Sequence, residues 1–348
     1  MAIEHYKRRM GEHEIEQIIL TNKNGMRVEL INWGATLVDV RVPDKYGVAE
    51  SVTLAYDDLA MYEANPSYFG AIVGRVAGRI EGSRFQLGGQ EYALPANTGA
   101  HHLHGGAGAM SHQPWRVHLN DDADWQSVRF EYVSPAGENA YPAQLNVSVT
   151  YLLTQDNTLS INYHADADAP TLCNLTNHAY FNLSGNARRT VHEHRLQVDA
   201  DAVCAMSDDL IVTGDAWLVA GSVFDFRAAQ PLAQALHSDD RRILLAQGLD
   251  HYFILNRHSR EKPQISLSDE ISGRRLRVWT NQPCAVLYAH NYPSSEVLRH
   301  GKIGAQHDAL CIETQKLPHQ RLPNGDHPAA IYPEQAYTQR TDFCFDIL

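Results

Sequence analysis

The side chains best suited to chemistry in this chain interrupt apolar or glycine-rich runs. Glu313 follows Leu310-Cys311-Ile312 in CIETQKLPHQRLPNG, residues 311–325. A carboxylate at the end of a buried strand is costly unless it is paired or hydrogen-bonded. Its pKa rises if desolvation wins and falls if arginine or backbone donors win. His178 stands in LTNHAYFNL, residues 175–183, between Asn177 and the aromatic pair Tyr180 and Phe181. Taken alone, that setting reads as a satisfied core histidine. HHLHGG, residues 101–106, packs His101, His102 and His104 together and so raises a metal reading. The spacing is not that of a helical His-Glu-x-x-His site, and no cysteine lies near. On a strand, His102 and His104 share one face and His101 takes the other. A single catalytic or ligand-binding histidine is the alternative, with Gly105-Gly106 letting backbone approach a ligand closely.

Two further segments carry charge. AIVGRVAGRI, residues 71–80, places Arg75 and Arg79 on a strand-like stretch with three glycines. Both read either as snorkelling arginines beside a bulge or as pocket cations that bind hydroxyls. GLDHYF, residues 248–253, leads Asp250 and His251 into an apolar strand, where the acid could simply cap a turn. Carboxylate and imidazole together suit proton transfer near neutral pH. The chain has neither a Walker A loop nor a Gly-x-Ser-x-Gly elbow. HHLHGGAGA lacks the strand–helix context of a dinucleotide site.

The elements that would position these groups are strands. Val147, Val149, Tyr151 and Leu153 alternate with polar or small neighbours, as do Leu159, Ile161, Tyr163 and Ala165. With Gln155-Asp156-Asn157 as the turn, this predicts a hairpin with one buried face. Val128 to Tyr132, Leu276 to Thr280, Ala285 to Tyr288, Met26 to Ile31 and Thr36 to Val42 read as further strands. One clear helix is predicted over Pro231 to Ala246, with Leu232, Leu236, Ile243 and Leu244 as its apolar points. Short strands punctuated by turn residues indicate an all-β sandwich or barrel. No linker or repeat divides the chain, so a single domain over 1–348 is the simplest organisation.

The bulk properties narrow the partners. The 348 residues are 44% hydrophobic and 20% charged, an ordinary globular composition. The net charge of -12 disfavours nucleic acid and anionic membranes. No stretch is apolar enough to span a bilayer, and the N-terminus has no signal-like apolar region. Cys173, Cys204, Cys284, Cys311 and Cys344 are widely spaced and odd in number, which suits a reducing cytoplasm better than a disulfide framework.

The chain resembles the aldose 1-epimerase (galactose mutarotase) family over nearly its whole length. INWGATL (31–37), VTLAYDDLAMY (52–62), YFGAIVGRVAGRI (68–80), LHGG (103–106), SPAGENAYP (134–142), TNHAYFNL (176–183), VFDFR (223–227), GLDHYF (248–253) and IETQ (312–315) carry the resemblance, in order. It implies a large antiparallel β-sandwich of the galactose mutarotase type with few short helices and an open sugar cleft. It implies Glu313 as general base, His178 as general acid and His104 as a second active-site histidine. Arg79 and Asp250 would hold sugar hydroxyls, and Gln282 would make a further substrate contact. The implied partner is a free aldohexose such as galactose or glucose, with no metal or other cofactor, acted on by a monomer or homodimer. Rival readings are action on a modified, oligomeric or anionic sugar, a hydrolase pairing Glu313 with Asp250, and a non-catalytic carbohydrate-binding sandwich. Two departures bear on the preferred sugar. Gly78 stands where the family usually has Asn, and AGAMSHQP precedes Trp115 in place of a Gly-Phe-Asp-Lys type loop.

Overall fold

Strict alternation produces the main sheet. The computed structural model describes residues 2–121, 125–256, 261–318 and 322–348. In the strand Leu145–Thr154 every second side chain is buried, and it pairs antiparallel with Thr158–Ala167 across the turn read from the sequence. This hairpin lies inside a nine-stranded antiparallel sheet that also contains Arg116–Asp121, Trp125–Ser134 and Arg274–Thr280. The long C-terminal strand Tyr337–Ile347 sits within it, between Thr158–Ala167 and Arg274–Thr280.

Two smaller antiparallel sheets share the core of the large one. The first holds five strands from Ala2–Met10 to Ala49–Ser51. The second holds six, in the spatial order Tyr180–Phe181, Leu310–Gln315, Cys284–Tyr288, Asp250–Leu255, Ala200–Met206 and Val212–Leu218. Leu20, Val28, Phe130, Val149, Phe253, Leu287, Ile312 and Phe343 belong to one continuous apolar cluster, so all three sheets contribute to one core. Phe181 of the six-stranded sheet meets Phe343 of the large sheet, ring centres 5.3 Å apart. The fold is therefore mostly β, as the alternation and the resemblance both imply.

The helix predicted over Pro231 to Ala246 is instead two short ones, Ala233–Leu236 and Arg241–Ala246. Asp240 starts the second by accepting a hydrogen bond from the Arg242 N–H, so the intervening residues form a cap that the apolar spacing did not register. Leu232, Leu236 and Ile243 are buried, but Leu244 is exposed.

Candidate active site

The six-stranded sheet has an inner and an outer face, and the outer face holds the candidates. Leu310–Gln315 is buried on both faces. Ile312 joins the core, and Thr314 Oγ1 meets Thr341 Oγ1 at 2.6 Å on the same side. Period two then turns Cys311, Glu313 and Gln315 outward. The ladder sets Val286 beside Glu313 and Tyr252 beside Val286; the adjoining row is Cys311, Tyr288, Asp250. Above these rows lies a cavity of about 210 Å³ whose walls include Tyr68, Gly78, Arg79, His104, His178 and Tyr292. That is far more than the roughly 10–15 Å³ of cavity that one water needs, so the space suits a small polar organic molecule. A larger cavity of about 430 Å³ adjoins it, sharing Arg79 and Tyr252, but Glu313, His104 and His178 do not line it. The chemistry points to the smaller one.

Glu313 and His178 face each other. Glu313 Oε1 stands 3.5 Å from His178 Nε2, and both side chains are almost fully buried. Strand Thr176–Asn177 pairs with Ile72–Val73. The backbone of His178 continues that contact, bonding Ala71 and Gly70. On the other side of the ring, Cys311 Sγ lies 3.6 Å from His178 Nδ1. Burial raises the Glu313 carboxyl well above its ordinary value; Asp250 adds to the rise and Arg79 opposes it. Burial pushes His178 down to about 4, with His290 adding to the fall. The 3.5 Å contact exceeds a formed hydrogen bond, so burial governs both groups and favours their neutral forms. His178 is thus a cleft residue rather than a satisfied core histidine.

His104 follows the two-residue strand His102–Leu103, which pairs with Arg79–Ile80. Its own φ of 54° ends the alternation and turns the ring into the cavity. Gly78 N–H donates to His104 Nδ1 at 3.3 Å, and the Gly78 carbonyl accepts from the His104 N–H. Burial, His178 and Arg79 hold its pKa well below the ordinary value. A neutral ring with Nδ1 accepting must carry its proton on Nε2, so His104 is a hydrogen-bond donor. Tyr68 lies against both imidazoles, 4.9 Å from His104 and 6.1 Å from His178 between ring centres. Arg79 Nη1 lies 3.6 Å from Asp250 Oδ2, on the cavity wall. Asp250 therefore faces a cation rather than only capping a turn.

The two arginines of GRVAGR part company. Arg75 is 1% exposed and leaves the cavity altogether. Its Nε donates to Ser134 Oγ, its Nη1 to Thr171 Oγ1 and the carbonyls of Pro142 and Ala143, and its Nη2 to the carbonyls of Ser134 and Pro135. It neither snorkels nor binds a ligand, and an anionic substrate would find only Arg79 of the two.

The HHLHGG cluster also disperses. His101 Nδ1 accepts from the Gly82 N–H, while His102 turns to the Pro95 carbonyl. The shared face expected for His102 and His104 does not form, because the strand stops at Leu103. Gly105 and Gly106 serve the chain's own packing: a Cβ at Gly105 would lie 1.8 Å from the Gly74 carbonyl oxygen, and one at Gly106 would meet Asn139 at 2.7 Å. Gln282 does not line the cavity; its Nε2 bonds Asn281 Oδ1. The AGAMSHQP loop also stays off the cavity wall. Met110 is in the core, and the loop reaches the site only through His112 against Tyr68. The Pro-rich loop after Glu313 includes residues 319–321, which lie outside the described residues. Sequence reading missed Cys311, Gln315, Tyr68, Tyr252 and Tyr288. For Cys311 and Gln315 the signal was present, since both flank Glu313 at a spacing of two.

Gly78 has a specific neighbour. A Cβ there would lie 2.3 Å from the Tyr252 hydroxyl oxygen but 3.5 Å from the ring carbon bearing it, and φ is 78°. Tyr252 is packed among Cys204, Cys284, Val286 and Leu317 and cannot easily swing aside. Asn tolerates this left-handed conformation better than most side chains, so the hydroxyl is the main obstacle. Gly78→Asn is expected to lower the thermal midpoint in the native background and to do so by clearly less in a Tyr252→Phe background. Equal losses in the two melts would break the proposed coupling.

The sequence and fold have close parallels. A sequence model of the family Aldose 1-epimerase matches residues 16–342. Galactose mutarotase from Mus musculus is 36% identical over 323 residues, covering 92% of each chain. Aldose 1-epimerase from Haemophilus influenzae is 35% identical over 302 residues, covering 86% of each. The crystal structure of galactose 1-epimerase from Lactobacillus acidophilus NCFM superposes with a TM-score of 0.88 at 30% identity, covering 99% of both chains. An aldose epimerase homologue from C. elegans gives 0.86 at 30% identity, covering 95% of this chain and 99% of that one. The chain belongs to the aldose 1-epimerase family.

Proposed function

We propose that this protein interconverts the α and β anomers of a free aldohexose such as galactose or glucose, with Glu313, His178 and His104 as its catalytic groups. The observation that carries the reading is the buried Glu313–His178 pair at 3.5 Å, in a cavity that also holds His104 and the Arg79–Asp250 contact. Glu313 removes the proton from the anomeric hydroxyl. The C1–O5 bond breaks with its electron pair going to O5, and His178 delivers a proton there. The aldehyde rotates about C1–C2, and closure runs the same transfers backwards onto the other face. His104 donates from Nε2 toward the ring oxygen, and Arg79 with Asp250 orients the hydroxyls.

The electrostatics favour this direction of transfer. Burial makes the Glu313 carboxylate a stronger base and the His178 imidazolium a stronger acid than either is in water. The resting one-proton pair is the neutral acid and imidazole; the reactive form is reached by moving that proton from Glu313 to His178, and ring opening returns the pair to its neutral form. The pair needs one proton. Activity is expected to fall on the acid side as a second proton binds near pH 4, the value to which His178 is depressed. On the alkaline side it falls only above the raised Glu313 value. The apparent pKa values belong to the pair. A kcat/KM profile over pH, corrected for uncatalysed anomerisation, should show a broad plateau. An ordinary exposed-histidine step near pH 6.5 would contradict it.

Polarimetry or anomeric-proton NMR on freshly dissolved α-aldoses tests the reading directly. Accelerated approach to anomeric equilibrium is the expected result. Sugar binding without acceleration would mean a binding sandwich, and release of reducing sugar from glycosides would mean a hydrolase.

A further inference from the structure

The strand that carries Glu313 ends on a side chain that the mechanism does not use. Gln315 is 1% exposed and lines the cavity on the same face as Glu313. Its amide is oriented from outside the cleft. The Lys316 N–H donates to Asn174 Oδ1 at 2.8 Å, which leaves Asn174 Nδ2 as the donor. That Nδ2 donates to Gln315 Oε1 at 3.4 Å. Asn174 is anchored in turn, its N–H bonding the Arg75 carbonyl and its carbonyl accepting from the Ala77 N–H. The chain of bonds engages one end of the Gln315 amide and leaves the other free. The free end is Nε2, and this buried atom has no acceptor among the described residues. Buried donors without acceptors are rare in folded proteins and are relieved when an acceptor arrives.

From the unpaired Nε2 of this cavity-lining side chain, we infer that Gln315 is a substrate-binding residue that donates to one hydroxyl of the sugar and discriminates between sugars by it. The inference rests on the cleft being an aldose site. The hydroxyl is a different one from that held by Asp250. Asp250 lies in the row of Cys311 and Tyr288, whereas Gln315 lies in the row of Cys284, with the Glu313 row between them. Cys311 and Gln315 are four residues apart on one strand, about 14 Å at roughly 3.4 Å per residue. The two side chains therefore approach from opposite sides of Glu313, where the anomeric carbon sits, and reach different hydroxyls.

The test compares the wild type, Gln315→Met and Gln315→Glu on a parent aldose and its set of monodeoxy analogues, with mutarotation followed by NMR. Met keeps the length but removes the donor. Glu keeps an acceptor for Asn174 and replaces the NH2 with oxygen, so it serves if Met does not fold. The wild type should lose about tenfold in kcat/KM on one deoxy analogue, the scale of one hydrogen bond. Either variant should lose a similar factor on the parent and show less than about threefold discrimination against that same analogue. A variant that keeps the wild-type ranking and KM on every sugar overturns the role of Gln315. A wild type that accelerates no aldose overturns the functional reading instead, and this inference with it.

Discussion

Replacing Glu313 with Gln is expected to lower kcat for anomer interconversion by about 1,000-fold, within the range of roughly 100- to 10,000-fold for a positioned acid–base group. The KM should stay within a few-fold, since the amide keeps the size and most hydrogen bonds of the carboxyl. The same change should stabilise the protein at neutral pH. Burial raises the Glu313 carboxyl, so the folded state holds a proton that the unfolded state releases. That contribution to stability is full below the unfolded value and is lost as pH rises through the folded one. Each unit of upward shift is worth about 1.4 kcal/mol. The amide has no such penalty, so Glu313→Gln should melt higher than wild type at pH 7, with the gap closing toward pH 4. Denaturant titrations at the two pH values, alongside polarimetry, read both effects. A variant with more than a tenth of wild-type kcat would remove Glu313 from the mechanism. One with unchanged stability would mean that its carboxyl is not held at a cost.

The second large effect concerns folding rather than rate. Arg75→Met should leave the chain largely unfolded or insoluble at 25 °C. The substitution keeps the apolar stem but removes the guanidinium's bonds to Ser134, Pro135, Pro142, Ala143 and Thr171; the Pro135 carbonyl, through the Glu138 N–H, and the Pro142 carbonyl, through the Thr171 hydroxyl, keep a second donor. Each buried acceptor left unpaired costs about 1–3 kcal/mol, and a folded domain has only about 5–15 kcal/mol in hand. The charge itself is balanced by Glu138, which accepts from Tyr132 and from the same Ser134 hydroxyl that Arg75 contacts. Removing the cation leaves that carboxylate uncompensated. Arg75→Lys supplies three donors without the planar fork and should fall between the two. Urea unfolding of the Lys variant gives the number. A midpoint within error of wild type for either variant would contradict the clamp.

These two arginines also mark how far the sequence could be read. Arg75 and Arg79 occupy equivalent places in GRVAGR, and nothing local separates a residue that ties loops together from one on a cavity wall. Their fates depend on residues 134–143 and 250, which only the folded chain brings near. The Leu145–Ala167 hairpin was legible because period two and a short turn are both local. Glu313 was flagged by a local conflict, a carboxylate in an apolar strand. Its pairing with His178 follows from ladders between Tyr180–Phe181 and Leu310–Gln315, whose partners lie far apart in the chain. His104 was misplaced on a continuing strand because its left-handed backbone leaves no mark in composition. Gln282 was carried over by resemblance, whereas Val286 and Gln315 are the residues that alternation sets on the cavity face.

The contact between Gly78 and the Tyr252 hydroxyl constrains the history available to this cleft. Asparagine at 78, the residue that the resemblance leads one to expect there, and the phenol at 252 compete for the same space. A lineage passing between the two arrangements has one easy order of steps: the hydroxyl at 252 goes before a side chain appears at 78, and the side chain at 78 goes before a hydroxyl appears. Positions 78 and 252 thus form one coupled unit of the cleft wall, reshaped more easily by a pair of replacements than by either alone.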